Sequence, residues 1–101
     1  MSIQTYPTNL HPILTAALHD GNYRPIAGLI HGMYRKKGHR GSLEKYIRYD
    51  FTDYLQGVRD SLLEEAQSNL RNALEYFIVE LYKASVRNKI IEHIVHQVHT
   101  L

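Results

Sequence analysis

Apolar residues recur at steps of three and four along most of the chain, which is the spacing of one buried helix face. This spacing predicts a first helix over 10–20 and a second helix that starts at Pro25 and ends before Gly38. The Asp-Gly-Asn sequence at 20–22 predicts the turn between them. Residues 1–8 are expected to form an extended N-terminal arm, because prolines and threonines favour extended backbone.

The longest apolar stripe begins after Ser42, a predicted helix N-cap, and continues almost to residue 81. On a straight helix this stripe drifts by about 200° around the surface, which a single flat partner cannot follow. We therefore expect a break or bend between about 50 and 61. Ser61-Leu62-Leu63-Glu64 then has the form of a capping box that opens a helix over 62–84. A single wrapped helix of about 40 residues is the alternative.

The last apolar stripe predicts a helix over 86–99 that Ser85 caps, although its many β-branched residues leave a strand as the alternative. Gly28 and Gly32, four residues apart, predict close approach of a neighbour to the second helix. Together the elements predict an all-α fold, a compact bundle of four to five helices in one domain over 1–101.

A second apolar surface on the helix over 62–84 bears on the oligomeric state. Ile78, Tyr76 and Tyr82 lie off its main buried stripe and need a second cover. A second subunit provides that cover in a homodimer, and the last helix provides it in a monomer. We expect the homodimer.

Composition excludes several classes of function. The chain has no cysteine, which excludes disulfides, thiol nucleophiles, zinc–thiolate sites and iron–sulfur clusters. No apolar run approaches the roughly 20 residues of a membrane span, and the N-terminus lacks the features of a signal peptide. We therefore expect a cytoplasmic protein that does not bind membranes. The G-x-S-x-G motif of hydrolases, a glycine-rich phosphate loop and the H-E-x-x-H motif of zinc proteases are also missing, so we expect a binding protein rather than an enzyme.

The charge is distributed unevenly. Residues 1–50 carry a formal charge of +4 and residues 51–101 carry −2. Six basic residues fall within 35–48, where Glu44 is the one acidic residue: Arg35, Lys36, Lys37, Arg40, Lys45 and Arg48. Two helices joined by a basic, glycine-containing link predict contacts with nucleic-acid phosphates, and nearby tyrosines suit stacking on single-stranded bases. We expect a small regulatory protein that binds nucleic acid. An adaptor or inhibitor that docks on an acidic protein face is the alternative.

Three histidines recur near the C-terminus, at His93, His96 and His99. On a helix the outer two are about 240° apart and cannot bind one ion together. His96 with His93 or Glu92 supplies half of a metal site at most. We expect neither a metal nor another cofactor.

Arg87-Asn88-Lys89-Ile90-Ile91-Glu92-His93 resembles the arginine–histidine signature of HEPN-type ribonucleases, which are α-helical and often dimeric. The resemblance implies that Arg87 stabilises an RNA phosphate and that His93 is a general acid and base. The signature allows four to six residues between the arginine and the histidine, so Arg24 and His31 satisfy it as well. An HEPN-like ribonuclease is therefore the second alternative, and we assign no catalytic residue.

Overall fold

The computed structural model describes residues 6–36, 42–62, 68–83 and 88–101. These residues form an all-α bundle and contain no strand. The helical elements are α1 (Leu10–His19), α2 (Arg24–Lys36), α3 (Leu43–Lys45), a π-helical segment (Tyr46–Phe51), α4 (Thr52–Ser61), α5 (Ser68–Tyr82) and α6 (Lys89–His99). The predicted fold class is confirmed. Only the last part of the predicted N-terminal arm lies within the described residues.

One hydrophobic core holds the helices together. α1 packs against both α2 and α5, α4 packs against α5, and α6 closes the bundle against α2 and α3. The largest fully buried side chains come from every long helix: Tyr46, Phe51, Phe77, Leu10, Leu14, Ile26, Ile30, Ile47, Leu55, Leu74, Ile91 and Ile94. The helix predicted near the C-terminus is thus a helix and not a strand, because its apolar stripe faces this core.

The connection between α1 and α2 follows the predicted turn. Gly21 has a φ of +64°, a left-handed conformation that glycine adopts without a steric penalty. The predicted reason for the glycines of α2 is wrong, however. Gly28 and Gly32 are exposed, and a Cβ atom built on either residue meets nothing within 4 Å. No described neighbour approaches the helix there.

The helical run from Leu43 to Ser61 does not break; instead, it contains a π-helical segment. Tyr46 and Thr52, at the two junctions, keep right-handed helical dihedral angles, so the rod is continuous. In an α-helix Tyr46 and Phe51 lie about 140° apart, whereas both are buried here. The wider π turn brings them to one side. It thereby absorbs part of the drift that the sequence pattern predicts.

The break comes at the end of α4. Leu62 leaves the helix with a ψ of 143°, one residue beyond the expected window. Ser61 is the last residue of α4, and its hydroxyl donates to the Val58 carbonyl at 2.7 Å. The prediction that Ser61 caps the following helix is therefore wrong. Glu64 of the proposed capping box lies outside the described residues.

The N-cap of α6 is Asn88 rather than Ser85, which lies outside the described residues. Asn88 Oδ1 accepts a hydrogen bond from the Ile91 N–H at 3.1 Å. Its Nδ2 donates toward three carbonyls at the end of α5, those of Glu80, Lys83 and Leu81, at 3.0, 3.3 and 3.4 Å. A single buried side chain thus joins the C-terminal end of α5 to the start of α6.

Among the described helices, none is both long enough and apolar enough to cross a membrane.

Candidate nucleic-acid interface

Two aromatic rings connect the two sides of the basic segment. Tyr34, near the end of α2, packs edge-on against Tyr46 at the start of the π-helical segment, with ring centroids 5.2 Å apart. Ser42 starts α3 as predicted, since its hydroxyl accepts from the Lys45 N–H at 3.1 Å. The end of α2 is therefore held beside the start of the next helical rod.

The basic side chains that flank this contact differ in their surroundings. Arg35 and Lys45 are exposed, and neither forms an ion pair with a carboxylate of the described residues. Arg48 is half-buried, and its Nε lies 3.2 Å from Oε1 of Glu44, one helical turn earlier. That pair is an exposed i,i+4 pair worth a few tenths of a kcal/mol, so a phosphate can compete with Glu44 for Arg48.

Four of the six predicted contact residues lie within the described residues. Arg35 and Lys36 occupy the last turn of α2, while Lys45 and Arg48 belong to α3 and the π-helical segment. Lys37 and Arg40 lie outside the described residues. We use the name basic face for Arg35, Lys45, Arg48 and the adjacent Tyr49.

Tyr49 is the exposed aromatic residue of the basic face. It follows Lys45 by four residues, so the two side chains share one side of the rod, and 64% of Tyr49 is exposed. Tyr46 and Tyr54 are less exposed than Tyr49. Burial raises the pKa of Tyr46, with a further increase from Asp50 and Tyr54, and burial also raises the pKa of Tyr54. Both phenols are therefore neutral at physiological pH. Tyr46 belongs to the core, and Tyr54 packs against it.

Two residues of the ribonuclease-like motif make contacts within the fold. Asn88 is buried and engaged in capping α6. The imidazole of His93 is stacked on the ring of Tyr23, with centroids 5.5 Å apart and planes within 3°. Arg87 lies outside the described residues. Arg24 and His31, the other pair that satisfies the signature, are separated by about two turns of α2.

The C-terminal histidines separate as their spacing predicts. His96 and His99 line a shallow groove of about 320 Å³ together with Glu44 and Glu92, whereas His93 faces Tyr23. The described residues contain no group of three or more acidic, histidine or cysteine side chains that is arranged to hold a metal ion.

A larger cleft lies between α1 and α5, with a volume of about 660 Å³. Sequence reasoning missed it. The signal was present as polar and small residues at helical spacing on both helices, namely His11 and Thr15 on α1 and Asn69, Asn72 and Ala73 on α5. Residues of this kind leave space between two helices, whereas large apolar residues fill it.

No protein-family model, curated protein or solved structure matches this chain, so its function has to be argued from its own residues.

Proposed function

We propose that the protein is a small regulatory protein that binds nucleic acid through the basic face and that it acts in the cytoplasm. The observation that carries this proposal is the Tyr34–Tyr46 contact, since it holds the two basic ends of the sequence segment side by side. In this proposal, cations from two separate helical elements contact the same phosphate backbone.

A difference in pairing among the basic side chains supports this assignment. Arg35 and Lys45 are exposed without a carboxylate partner among the described residues. Three other described cations, Arg59, Arg71 and Lys83, each pair with a neighbouring carboxylate within 4 Å. Arg24 and Lys89 are exposed like Arg35 and Lys45, but they lie outside the basic face. Unpaired cations gain more from an incoming anion, because no existing ion pair has to be broken.

Tyr49 adds a property that distinguishes single strands from duplexes. An exposed aromatic ring beside cations offers a stacking surface to an unpaired base, which a duplex keeps inside its own stack. We therefore propose single-stranded RNA or DNA as the preferred ligand.

The test is fluorescence anisotropy of labelled 20-nucleotide single strands and of a matched duplex at 50 and 200 mM salt. Each phosphate neutralised on a single strand contributes about −0.7 to the slope of log K against log salt. Contacts from the six predicted cations give a slope of about −4. A slope near zero, or no binding at 50 mM salt, contradicts the proposal.

Matched variants locate the site. The triple variant Arg35→Ala/Lys45→Ala/Arg48→Ala is expected to lower the affinity at least a hundredfold, while Arg24→Ala/Arg59→Ala/Lys89→Ala removes the same charge elsewhere and has a much smaller effect. Equal losses in the two variants indicate a general effect of net charge and contradict a site at the basic face.

Tyr49 is tested separately. Tyr49→Ala is expected to weaken single-strand binding by about 1–3 kcal/mol, roughly 5- to 150-fold, and to leave duplex binding unchanged. Tyr49→Phe retains the ring and is expected to bind as the wild type does. An acidic protein partner is the competing ligand for the same cations, and a stoichiometric protein complex without nucleic acid in a pull-down favours it.

We also propose that the chain forms a homodimer. Of the three residues that predict a second apolar surface, Ile78 is buried within the chain, whereas Tyr76 and Tyr82 are exposed. Two exposed tyrosines on one helix support an interface, because tyrosine is enriched at the centres of protein–protein contacts.

A further inference from the structure

The exposed apolar residues of the described chain are concentrated on α5. Five large hydrophobic side chains are exposed among the described residues, and three of them belong to this helix: Tyr76 at 70%, Val79 at 52% and Tyr82 at 56%. They recur every three residues and spread over one broad outer side of α5. The other two, Tyr49 and Leu101, lie on other elements.

On the other flank of α5, the hydroxyl of Tyr82 accepts a hydrogen bond from Gln56 Nε2 of α4 at 2.6 Å. The cleft between α1 and α5 opens beside Tyr76. Its floor is apolar, since Phe77 and Ala17 line it and both are buried. Its walls carry uncharged polar groups, including Thr15 and Asn72. Tyr76 also lines the cleft, although most of its surface is exposed, so this ring forms the rim. A protruding ring and a recess therefore adjoin each other on one surface.

This juxtaposition is what a two-fold symmetric interface requires. In such an interface the same surface meets itself, and a residue that contacts a second residue across the axis is matched by the reciprocal contact. A cavity of about 150 Å³ holds one benzene ring. The cleft of about 660 Å³ therefore has room for the ring of a partner's Tyr76 and for a neighbouring side chain.

The charge of the cleft also suits a second copy. Neither lysine nor arginine occurs among the described residues that line it, and its basic side chains are those of His11 and His19. The one carboxylate is Glu80, which pairs with Lys83 at 3.0 Å. Two identical surfaces of this kind bring few like charges together, whereas a nucleic acid finds neither lysine nor arginine in the cleft. The basic face has the opposite character and serves a different ligand.

We propose that a second copy of this chain docks on the surface formed by α1 and α5, with Tyr76 of each copy entering the cleft of the other. This inference rests on the proposed homodimer and assigns its interface. The exposed part of Tyr76 supplies about 150 Å² per copy. A standard interface takes about 800 Å² from each partner. The polar walls therefore contribute much of the contact, and we expect a dissociation constant in the micromolar range.

The experiment is sedimentation velocity of the full chain from about 1 to 500 µM, with circular dichroism as the check on folding. The wild type is expected to shift from the 11.8 kDa monomer to twice that mass across this range. Tyr76→Ala is expected to raise the dissociation constant at least tenfold. Tyr49→Ala removes a similarly exposed tyrosine from another surface and is the matched control, which is expected to dimerise as the wild type does.

Cross-linking gives a second readout that does not depend on losing a side chain. The chain has no cysteine, so a single Val79→Cys or Tyr49→Cys substitution introduces the only thiol. Val79 lies on the proposed interface, and the Val79→Cys protein is expected to form a disulfide-linked dimer with a mild oxidant much faster than the Tyr49→Cys protein does. Equal rates contradict the assignment.

The outcomes separate the two proposals. A wild type that is monomeric at 500 µM overturns both the homodimer and this interface, and leaves the cleft to a small ligand or another protein. A dimer that Tyr76→Ala leaves intact overturns the interface alone. Nucleic-acid binding is measured independently on the basic face, so its failure has no bearing on either result.

Discussion

The stability of the bundle depends heavily on one polar side chain, Asn88. It is 6% exposed and makes hydrogen bonds in two directions, to the first turn of α6 and to the last turn of α5. Helix ends leave backbone groups without intrahelical partners, and a buried group without a partner costs about 1–3 kcal/mol. Asn88→Ala removes both sets of bonds at once.

The expected loss of stability is the sum of two contributions, one from the N-cap of α6 and one from the carbonyls at the end of α5. Removal of an N-cap costs about 1 kcal/mol, and leaving the carbonyls at the end of α5 without their donor adds about 1–3 kcal/mol. We therefore expect Asn88→Ala to lower the free energy of unfolding by about 2–4 kcal/mol. For a domain of this size the melting temperature falls by about 10–25 °C.

Urea unfolding at a low protein concentration, followed by circular dichroism, measures this loss. Asn88→Ser retains an acceptor for the Ile91 N–H but cannot reach all three carbonyls, so it is expected to show about half of the loss. Asn72→Ala, at an exposed position within α5, is the control and is expected to change stability by less than about 0.5 kcal/mol. If Asn88→Ala is as stable as the control, the connection between the two helices does not depend on this side chain and the reasoning is wrong.

Three further predictions concern the same fold. Gly28→Ala and Gly32→Ala are each expected to raise the free energy of unfolding by about 0.5–1 kcal/mol, because open space surrounds both positions; a lower urea midpoint contradicts this. Thr52→Val is expected to lower the free energy of unfolding by about 1–2 kcal/mol, because the Thr52 hydroxyl donates to the Ile47 carbonyl in the π-helical segment at 2.9 Å. Thr52→Ser keeps the hydroxyl and is expected to restore most of the loss. The raised pKa of the Tyr46 and Tyr54 phenols means that the fold favours their protonated forms. The contribution of these phenols to stability should stay constant up to about pH 10 and decline at higher pH. The decline should be less steep in the Tyr46→Phe/Tyr54→Phe variant. Urea midpoints measured between pH 8 and 11 test both expectations.

Local features of the chain were well predicted where a single residue type decides the backbone. Gly21 takes the left-handed conformation of the first turn, and Ser42 caps the helix that follows it. Arg71 and Glu75, four residues apart on α5, form an i,i+4 pair with N and O atoms 3.6 Å apart. These features depend on neighbours a few residues away, which the sequence shows directly.

Predictions were wrong where the packing of distant parts of the chain outweighed a local sequence pattern. Ser61 stands at the first position of a capping-box sequence, yet it is the last residue of α4. Leu55, Val58 and Leu62 are buried in the core, and their packing favours a helix that continues to Ser61. Gly28 and Gly32 have the spacing of a close helix contact, yet their side of α2 faces solvent. Spacing alone does not show which face a bundle covers.

By itself, the sequence determined that the chain is helical and that its cations are concentrated between residues 35 and 48. Periodicity and composition are properties of the chain, so they can be read before it folds. Only the tertiary structure decided that Tyr34 meets Tyr46, that Asn88 joins α5 to α6, and that a cleft opens beside Tyr76. Each of these depends on how two separate helices pack, and that packing is set by the fit of side chains that are distant in the sequence.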